Sequence, residues 1–324
     1  MRSAVLRIRF VAIAWLLASC AANSGTSGSV TDSAVTADAQ SDASTADTGA
    51  ADTAVDTGTS GPAAPIQVAG CPNLQTGRIA IQAGGFTRHV RVFPPADPVG
   101  KPVIFLWHGL GDTASNFSAG FSAKTRAVAS DVTIIVPEAC YQEDAVPGCT
   151  PGLFTWSSTG NSDPDAALFD TTLACLDQQW QIDRSRVYTI GFSAGALWST
   201  WLLMHRSDYL AAAVTFSGGI IDNVLPYLAP TYNLPVLTAW GGDTDQFANG
   251  LVDFNQATAT LRADLRKDGH FVLACNHGLG HTVPPQGPDF ALKFVLNHAW
   301  KDGVSPYATA GLGSDFPKYC AIEP

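Results

Sequence analysis

Val187-Tyr188-Thr189-Ile190-Gly191-Phe192-Ser193-Ala194-Gly195-Ala196-Leu197-Trp198 is the stretch on which the fold turns. The four residues before Gly191 form a short apolar run of buried-strand type, and Ala196 to Met204 reads as a helix. Between them stands G-x-S-x-G. So tight a turn from strand to helix strains the backbone of Ser193. Only glycine two residues before and two after avoids a collision between the two elements. The hydroxyl is lifted clear of the chain at a helix N-terminus, where the dipole favours developing negative charge. In a chain with 30 glycines the pentapeptide can arise by coincidence, so its meaning depends on partners elsewhere.

Outward from this turn, Arg78 to Pro94 alternates around Gly84-Gly85 and predicts an antiparallel hairpin at a sheet edge. Buried-strand runs follow at Val103–Leu106, Val132–Val136, Ala211–Phe216, Val236–Trp240 and His270–Ala274. Helical stretches separate most of them, among them Asp165–Gln181, Phe254–Lys267 and a last apolar helix over Phe290–Trp300. Strands alternating with helices predict an α/β fold with a mostly parallel central sheet and helices on both faces. Ligands of such sheets bind beyond the carboxyl ends of the strands.

A neutral hydroxyl is a poor nucleophile and needs a base. In the α/β-hydrolase order the serine precedes an acid and the acid precedes a histidine. Of the downstream histidines, His205 and His298 fall in helices and His270 opens a strand. His281 lies in Gly278-Leu279-Gly280-His281-Thr282-Val283-Pro284, a loop able to swing an imidazole over the sheet edge, with His277 as its competitor. The acid is expected after Val236–Trp240, where Gly241-Gly242-Asp243-Thr244-Asp245 stands. Asp245 is preferred because the G-x-x-D spacing puts it at the loop apex; Asp243 remains the alternative. An oxyanion hole is the third requirement. Trp107-His108-Gly109-Leu110-Gly111-Asp112 follows a strand, so the backbone N–H groups of Leu110 and Ala194 are the expected donors. His108 and Asp112 are then loop-shaping residues. Phe154, Trp156 and Trp198 are candidate substrate-binding aromatics, against the plainer expectation that aromatic side chains belong to the core.

The N-terminus reads as a processing signal. Arg2, Arg7 and Arg9 precede the apolar run Phe10–Leu17, and Leu17-Ala18-Ser19-Cys20 matches a lipoprotein cleavage box. Residues 1–19 are thus expected to be a signal peptide, with Cys20 lipidated as the membrane anchor. Residues 20–65 hold almost only Ala, Ser, Thr, Asp and Gly, a composition expected to form a disordered tether. A single catalytic domain is expected over 66–324. The chain carries a net charge of −10; without the three leader arginines it is −13, and six tether aspartates leave −7 for the domain. With no basic cluster, nucleic acid is not an expected partner. Cys71, Cys140, Cys149, Cys175, Cys275 and Cys320 suit three disulfides of an extracytoplasmic protein. Cys140 and Cys149, flanking a loop with Pro147-Gly148, are the first-choice pair, and the other connectivities stay open. No C-x-x-C spacing occurs, so neither a metal nor an organic cofactor is expected.

Several segments resemble the secreted polyhydroxybutyrate depolymerase and feruloyl/acetylxylan esterase superfamily. They are Pro102–Gly111, the Trp156 region, Gln181-Ile182-Asp183-Arg184-Ser185-Arg186-Val187-Tyr188, the Gly191–Ala196 turn and Gly280–Pro284. His108–Asp112 also looks like the small phospholipase/carboxylesterase family. Two departures stand out: Ala196-Leu197 replaces Gly-aromatic or Gly-Met after the turn, and Trp240-Gly241-Gly242 replaces a His-Gly ahead of the acid. The resemblance implies an α/β-hydrolase fold and a serine esterase hydrolysing carboxylic esters through an acyl-enzyme on Ser193, which the N-terminal signal is expected to leave lipid-anchored. Its implied partner is an ester substrate of polyhydroxybutyrate, feruloyl or acetyl-polysaccharide type. A small-peptide serine peptidase and a non-catalytic surface binding protein on the same fold are the alternatives.

Overall fold

The computed structural model describes residues 61–140, 146–147, 149, 155–157, 164–300 and 305–324. The signal peptide, Cys20, the tether up to residue 60 and Phe154 lie outside the described residues. Just ahead of residue 66, the Ala63 N–H donates to the Asp208 carbonyl and Pro65 is buried.

In chain order the hairpin β1 (Gly77–Ala83) and β2 (Phe86–Phe93) leads into β3 (Val103–Trp107), α1 (Ala114–Gly120) and α2 (Ala123–Ala129). Then come β4 (Thr133–Pro137), α3 (Pro164–Trp180), β5 (Val187–Phe192), α4 (Ala194–His205), β6 (Ala212–Phe216) and β7 (Val236–Trp240). A small hairpin of β8 (Gln246–Phe247) and β9 (Val252–Asp253) precedes α5 (Phe254–Lys267). The chain continues through β10 (Val272–Asn276), α6 (Gly287–Leu296), α7 (Tyr307–Ala310) and β11 (Cys320–Glu323).

Among the described residues, nine strands form one sheet in the order β1-β2-β4-β3-β5-β6-β7-β10-β11. The six strands from β4 to β10 run parallel, while β1, β2 and β11 are antiparallel additions at the two edges. This is the expected α/β-hydrolase architecture. The edge strand β11 and the hairpin β8–β9 have no counterpart in the sequence reading, because strands of four and two residues carry too little periodicity.

The central strands are apolar throughout because both faces are covered. Alternate side chains of a pleated strand point to opposite sides. Val103, Phe105 and Trp107 of β3 therefore pack with Phe169 of α3, Trp198 of α4 and Leu261 of α5. Ile104 and Leu106 pack on the other face with Phe117 of α1, Ala127 of α2 and Phe294 of α6.

Three disulfides fasten the periphery. Cys140–Cys149 closes the local loop as expected, Cys71–Cys175 ties the segment before β1 to α3, and Cys275–Cys320 joins directly opposed residues of β10 and β11. No described helix is long and apolar enough to cross a membrane.

Several histidines are structural. His298, just past α6, donates from Nδ1 to the Phe294 carbonyl at 2.8 Å and meets Ser305 Oγ through Nε2 at 2.7 Å. Burial pushes its pKa down to about 4, and burial lowers that of His270 as well. In the unfolded chain such groups return to about 6.5. The unfolded state therefore takes up protons first as the pH falls, and the stability these neutral imidazoles contribute is complete above about 6.5 and is lost toward 4. Thermal unfolding is expected to show a Tm that declines as the pH is lowered from about 7 to about 4.5; a flat profile across that window would contradict it.

Candidate active site

The strand-to-helix turn has the strained geometry its sequence requires. Ser193, between β5 and α4, has φ 55° and ψ −120°, a conformation an L-residue adopts only when its surroundings impose it. A β-carbon on Gly195 would lie 2.1 Å from the Trp107 carbonyl oxygen, and one on Gly191 would lie 2.1 Å from the Gly195 oxygen. No side chain fits at either place. The Ser193 N–H donates to the Phe216 carbonyl at 2.9 Å, which holds the turn to the end of β6.

Around Ser193 the structure brings three of the expected side chains into one line. Ser193 Oγ lies 2.9 Å from His281 Nε2, and His281 Nδ1 lies 2.7 Å from Asp245 Oδ1. The hydroxyl donates to Nε2 and the Nδ1–H donates to the carboxylate, so these bonds require the Nδ1-protonated tautomer. Asp245 is fully buried, and its other oxygen accepts the Ser217 hydroxyl and the Gly241 N–H, each at 2.8 Å. The His281 ring is clasped by aromatic neighbours: Phe254 stacks on it at 4.6 Å and Phe192 lies at 5.0 Å. The acid and base loops also touch through backbone. The Gly280 N–H donates to the Gly241 carbonyl, and a β-carbon on Gly241 would fall 1.9 Å from the Gly280 oxygen.

The competitors occupy other roles. Asp243 is exposed and accepts the Asn255 amide at 3.0 Å, while Asn255 accepts the Trp240 indole at 2.8 Å. Asp243 thus belongs to a surface chain that secures Trp240, the residue standing where the resembled superfamily has histidine. His277 accepts the Leu279 N–H on Nδ1, so its ring shapes the loop leading to His281. Burial pushes the His277 pKa down, and the charge of Asp245 opposes that only in part.

The loop after β3 lies against the nucleophile, with Gly109 so close that a β-carbon there would be 3.3 Å from Ser193 Cβ. Ala194 opens α4, so its N–H has no intrahelical acceptor and faces outward from the helix end. Leu110 follows Gly109 and is 40% exposed. The loop is fixed from below: the Trp156 indole donates to the His108 carbonyl at 2.9 Å, and His108 Nδ1 donates to the Gly109 carbonyl. Burial lowers the His108 pKa and keeps the ring neutral. Asp112 accepts the Thr113 N–H in a turn.

Trp156 and Trp198 are corrections to the sequence expectation. They are 1% and 0% exposed, pack edge-on against Trp107 at 4.9 and 5.7 Å, and therefore line the core rather than a substrate rim. A groove of about 310 Å³ does border the site, walled by Phe117, Phe121, Phe192, Val283, Pro284 and Pro288. None of its aromatic residues was singled out from sequence, because a Phe on a helix that also serves a core carries no separate signal. The support from Ser217 and the buried Arg88–Asp165 pair, whose Asp165 Oδ2 accepts the Ser157 N–H, went equally unseen. Partners so far apart in sequence leave no local pattern. Among the described residues no cluster of His, Cys, Asp or Glu is arranged to hold a metal ion.

Exchanging the two loop aspartates one at a time separates them. Asp245→Asn is expected to lower kcat for an ester by about 10⁴-fold through the wrong histidine tautomer. Asp243→Asn, which touches only the Asn255 link, should stay within about two-fold on steady-state assay, as surface changes generally do.

Comparison with known proteins places this architecture. The native structure of sOPH superposes with a TM-score of 0.63 at 20% identity, covering 78% of this chain and 96% of that one. A ferulic acid esterase structure gives 0.51 at 16% identity, covering 67% and 94%. At these identities the likeness is one of fold. In sequence, the protein named "Putative esterase NocK" of Nocardia uniformis subsp. tsuyamanensis is 27% identical over 177 residues, which span 51% of this chain and 47% of that protein. The chain thus matches about half the length of that curated relative. The phospholipase/carboxylesterase profile matches residues 87–299, from β2 through α6. On the strength of that match the chain belongs to the phospholipase/carboxylesterase family.

Proposed function

We propose that the protein is a serine hydrolase that cleaves carboxylic esters through an acyl-enzyme on Ser193. The observation that carries this reading is the unbroken relay from Ser193 Oγ through His281 to the buried Asp245. Ser193 Oγ attacks the ester carbonyl while His281 Nε2 removes its proton. The tetrahedral oxyanion is held by the backbone N–H groups of Leu110 and Ala194, with the helix end adding its dipole. Asp245 stays ionised and stabilises the imidazolium that forms. His281 then gives the proton to the leaving alkoxide, and water repeats the cycle on the acyl-enzyme to release the acid. Every bond made is matched by a proton that His281 has just taken or is about to give.

For the substrate, the apolar walls of the groove beside Phe192 and Val283 favour an apolar or aromatic acyl group. Esters of polyhydroxybutyrate, feruloyl or acetyl-polysaccharide type remain the proposed class. Purified protein assayed on short acyl esters, feruloyl esters, acetylated xylan, hydroxybutyrate oligomers and matched amides tests it. Ester turnover with Ser193 labelled by a fluorophosphonate is expected, and Ser193→Ala should lose about 10⁶-fold in kcat while unfolding normally. An unlabelled wild-type protein, or turnover of amides alone, would sink the esterase reading.

We also propose that the enzyme works outside the cytoplasm, held to a membrane by lipid on Cys20 and spaced from it by residues 20–65. The three disulfides support an oxidising compartment. Metabolic labelling with a radioactive fatty acid in a bacterial host should mark the wild-type chain and not Cys20→Ala. Equal labelling of both would end the anchoring proposal.

A further inference from the structure

We propose that Ser217, which the triad does not include, is a positioning residue of this site: its hydroxyl fixes the Asp245 carboxylate so that Oδ1 faces His281. The inference rests on the serine hydrolase reading above and extends it by one residue. Ser217 directly follows β6 and is completely buried. Its N–H donates to the Ala239 carbonyl of β7 at 2.8 Å, and its Oγ lies 2.8 Å from Asp245 Oδ2. A carboxylate only accepts, so the single hydroxyl proton of Ser217 points at Asp245.

The division of labour within the carboxylate is complete. Oδ1 takes the His281 Nδ1–H, and Oδ2 takes two donors, the Ser217 hydroxyl and the Gly241 N–H. Rotation of the carboxylate about its χ2 would break the Oδ2 bonds before it freed Oδ1, so the two donors hold the plane in which the imidazole must lie. Gly241 belongs to the same loop as Asp245 and moves with it. Ser217 belongs to a different strand end and ties the acid to the part of the sheet that carries the nucleophile. The preceding residue, Phe216, accepts the Ser193 N–H, and the following one, Gly218, accepts the Thr258 hydroxyl of α5. One short turn thus references the nucleophile, the acid and the helix that begins with Phe254, the ring stacked on His281.

The backbone of Ser217 supports a role for the side chain. Its φ is 52°, in the left-handed region that favours glycine, yet the residue is serine. Packing alone would be met by glycine, which lacks only the hydroxyl and the β-carbon.

Two substitutions separate the hydroxyl from the backbone. Ser217→Ala keeps the left-handed strain and removes the donor; Ser217→Gly relieves the strain and also removes the donor. Each variant is counted by fluorophosphonate end-point labelling, so that turnover is expressed per active site, and its Tm is measured. Both are expected to lose about 10- to 100-fold in kcat per labelled site with KM little changed, the reach of one charge-assisted hydrogen bond. In an Asp245→Ala background, which lacks the acceptor, Ser217→Ala should cost less than about two-fold more, since the two residues act as one unit. Unchanged kcat per site with only a lowered Tm would overturn the proposal. So would full activity in Ser217→Gly beside a weak Ser217→Ala, or losses that simply multiply in the double variant. A wild-type protein that neither labels nor turns over ester would instead refute the hydrolase reading itself, so the two failures are distinguishable.

Discussion

The Trp107 carbonyl oxygen stands where a β-carbon of Gly195 would have to go, with only 2.1 Å between them. This is a contact between two backbones, one at the carboxyl end of β3 and one in the first turn of α4. Because they meet without side chains, the loop after β3 comes within reach of Ser193 and the helix end points its first N–H groups the same way. Moving them apart by even one methyl group would carry Ser193 away from the loop proposed to bind the oxyanion. The nearly dry cluster of Trp107, Trp156 and Trp198 beneath sets the depth of that contact, and the Trp156 indole pins the His108 carbonyl above it. The aromatic residues thus serve the chemistry by stiffness rather than by touching substrate.

Much of this was legible in the chain itself, for reasons particular residues make clear. The β3, β5, β6 and β7 runs are apolar without alternation because helices cover both faces, and such runs are hard to mistake when helical stretches lie between them. Ser193 and its glycines form a local pattern whose sterics are self-evident. His281 was recognisable from its place after the last parallel strand. Spacing favoured Asp245 but left Asp243 as the alternative, since both occupy one turn. In the structure Asp243 is exposed, whereas Asp245 is buried, bonded by Ser217 and Gly241, and faces His281. The aromatics failed for the opposite reason. Trp156 and Trp198 sit near the right motifs in sequence, yet proximity along the chain does not say on which side of a helix or loop a ring falls.

Two of the buried charges among the described residues do different work. Asp245 faces the His281 imidazole, and in the proposed mechanism its charge stabilises that ring as it becomes cationic. Asp165 faces Arg88 at 2.6 Å, both wholly buried, and through Ser157 it braces the segment bearing Trp156. A paired buried charge contributes little net stability but strongly disfavours misplacement, because breaking it strands an ion in an apolar interior. The pair therefore specifies where the Trp156 segment sits more than it stabilises the domain.

The left-handed backbone at Ser193 and Ser217 has an evolutionary consequence. Each such conformation costs a non-glycine residue about 1 kcal/mol or more relative to an unstrained one. A lineage that kept this fold but ceased to need the reaction would gain stability by drifting to glycine at both positions. Heat resistance and loss of activity would then rise together in its descendants. Under the proposed mechanism, these two serines are places where the chain trades robustness for chemistry.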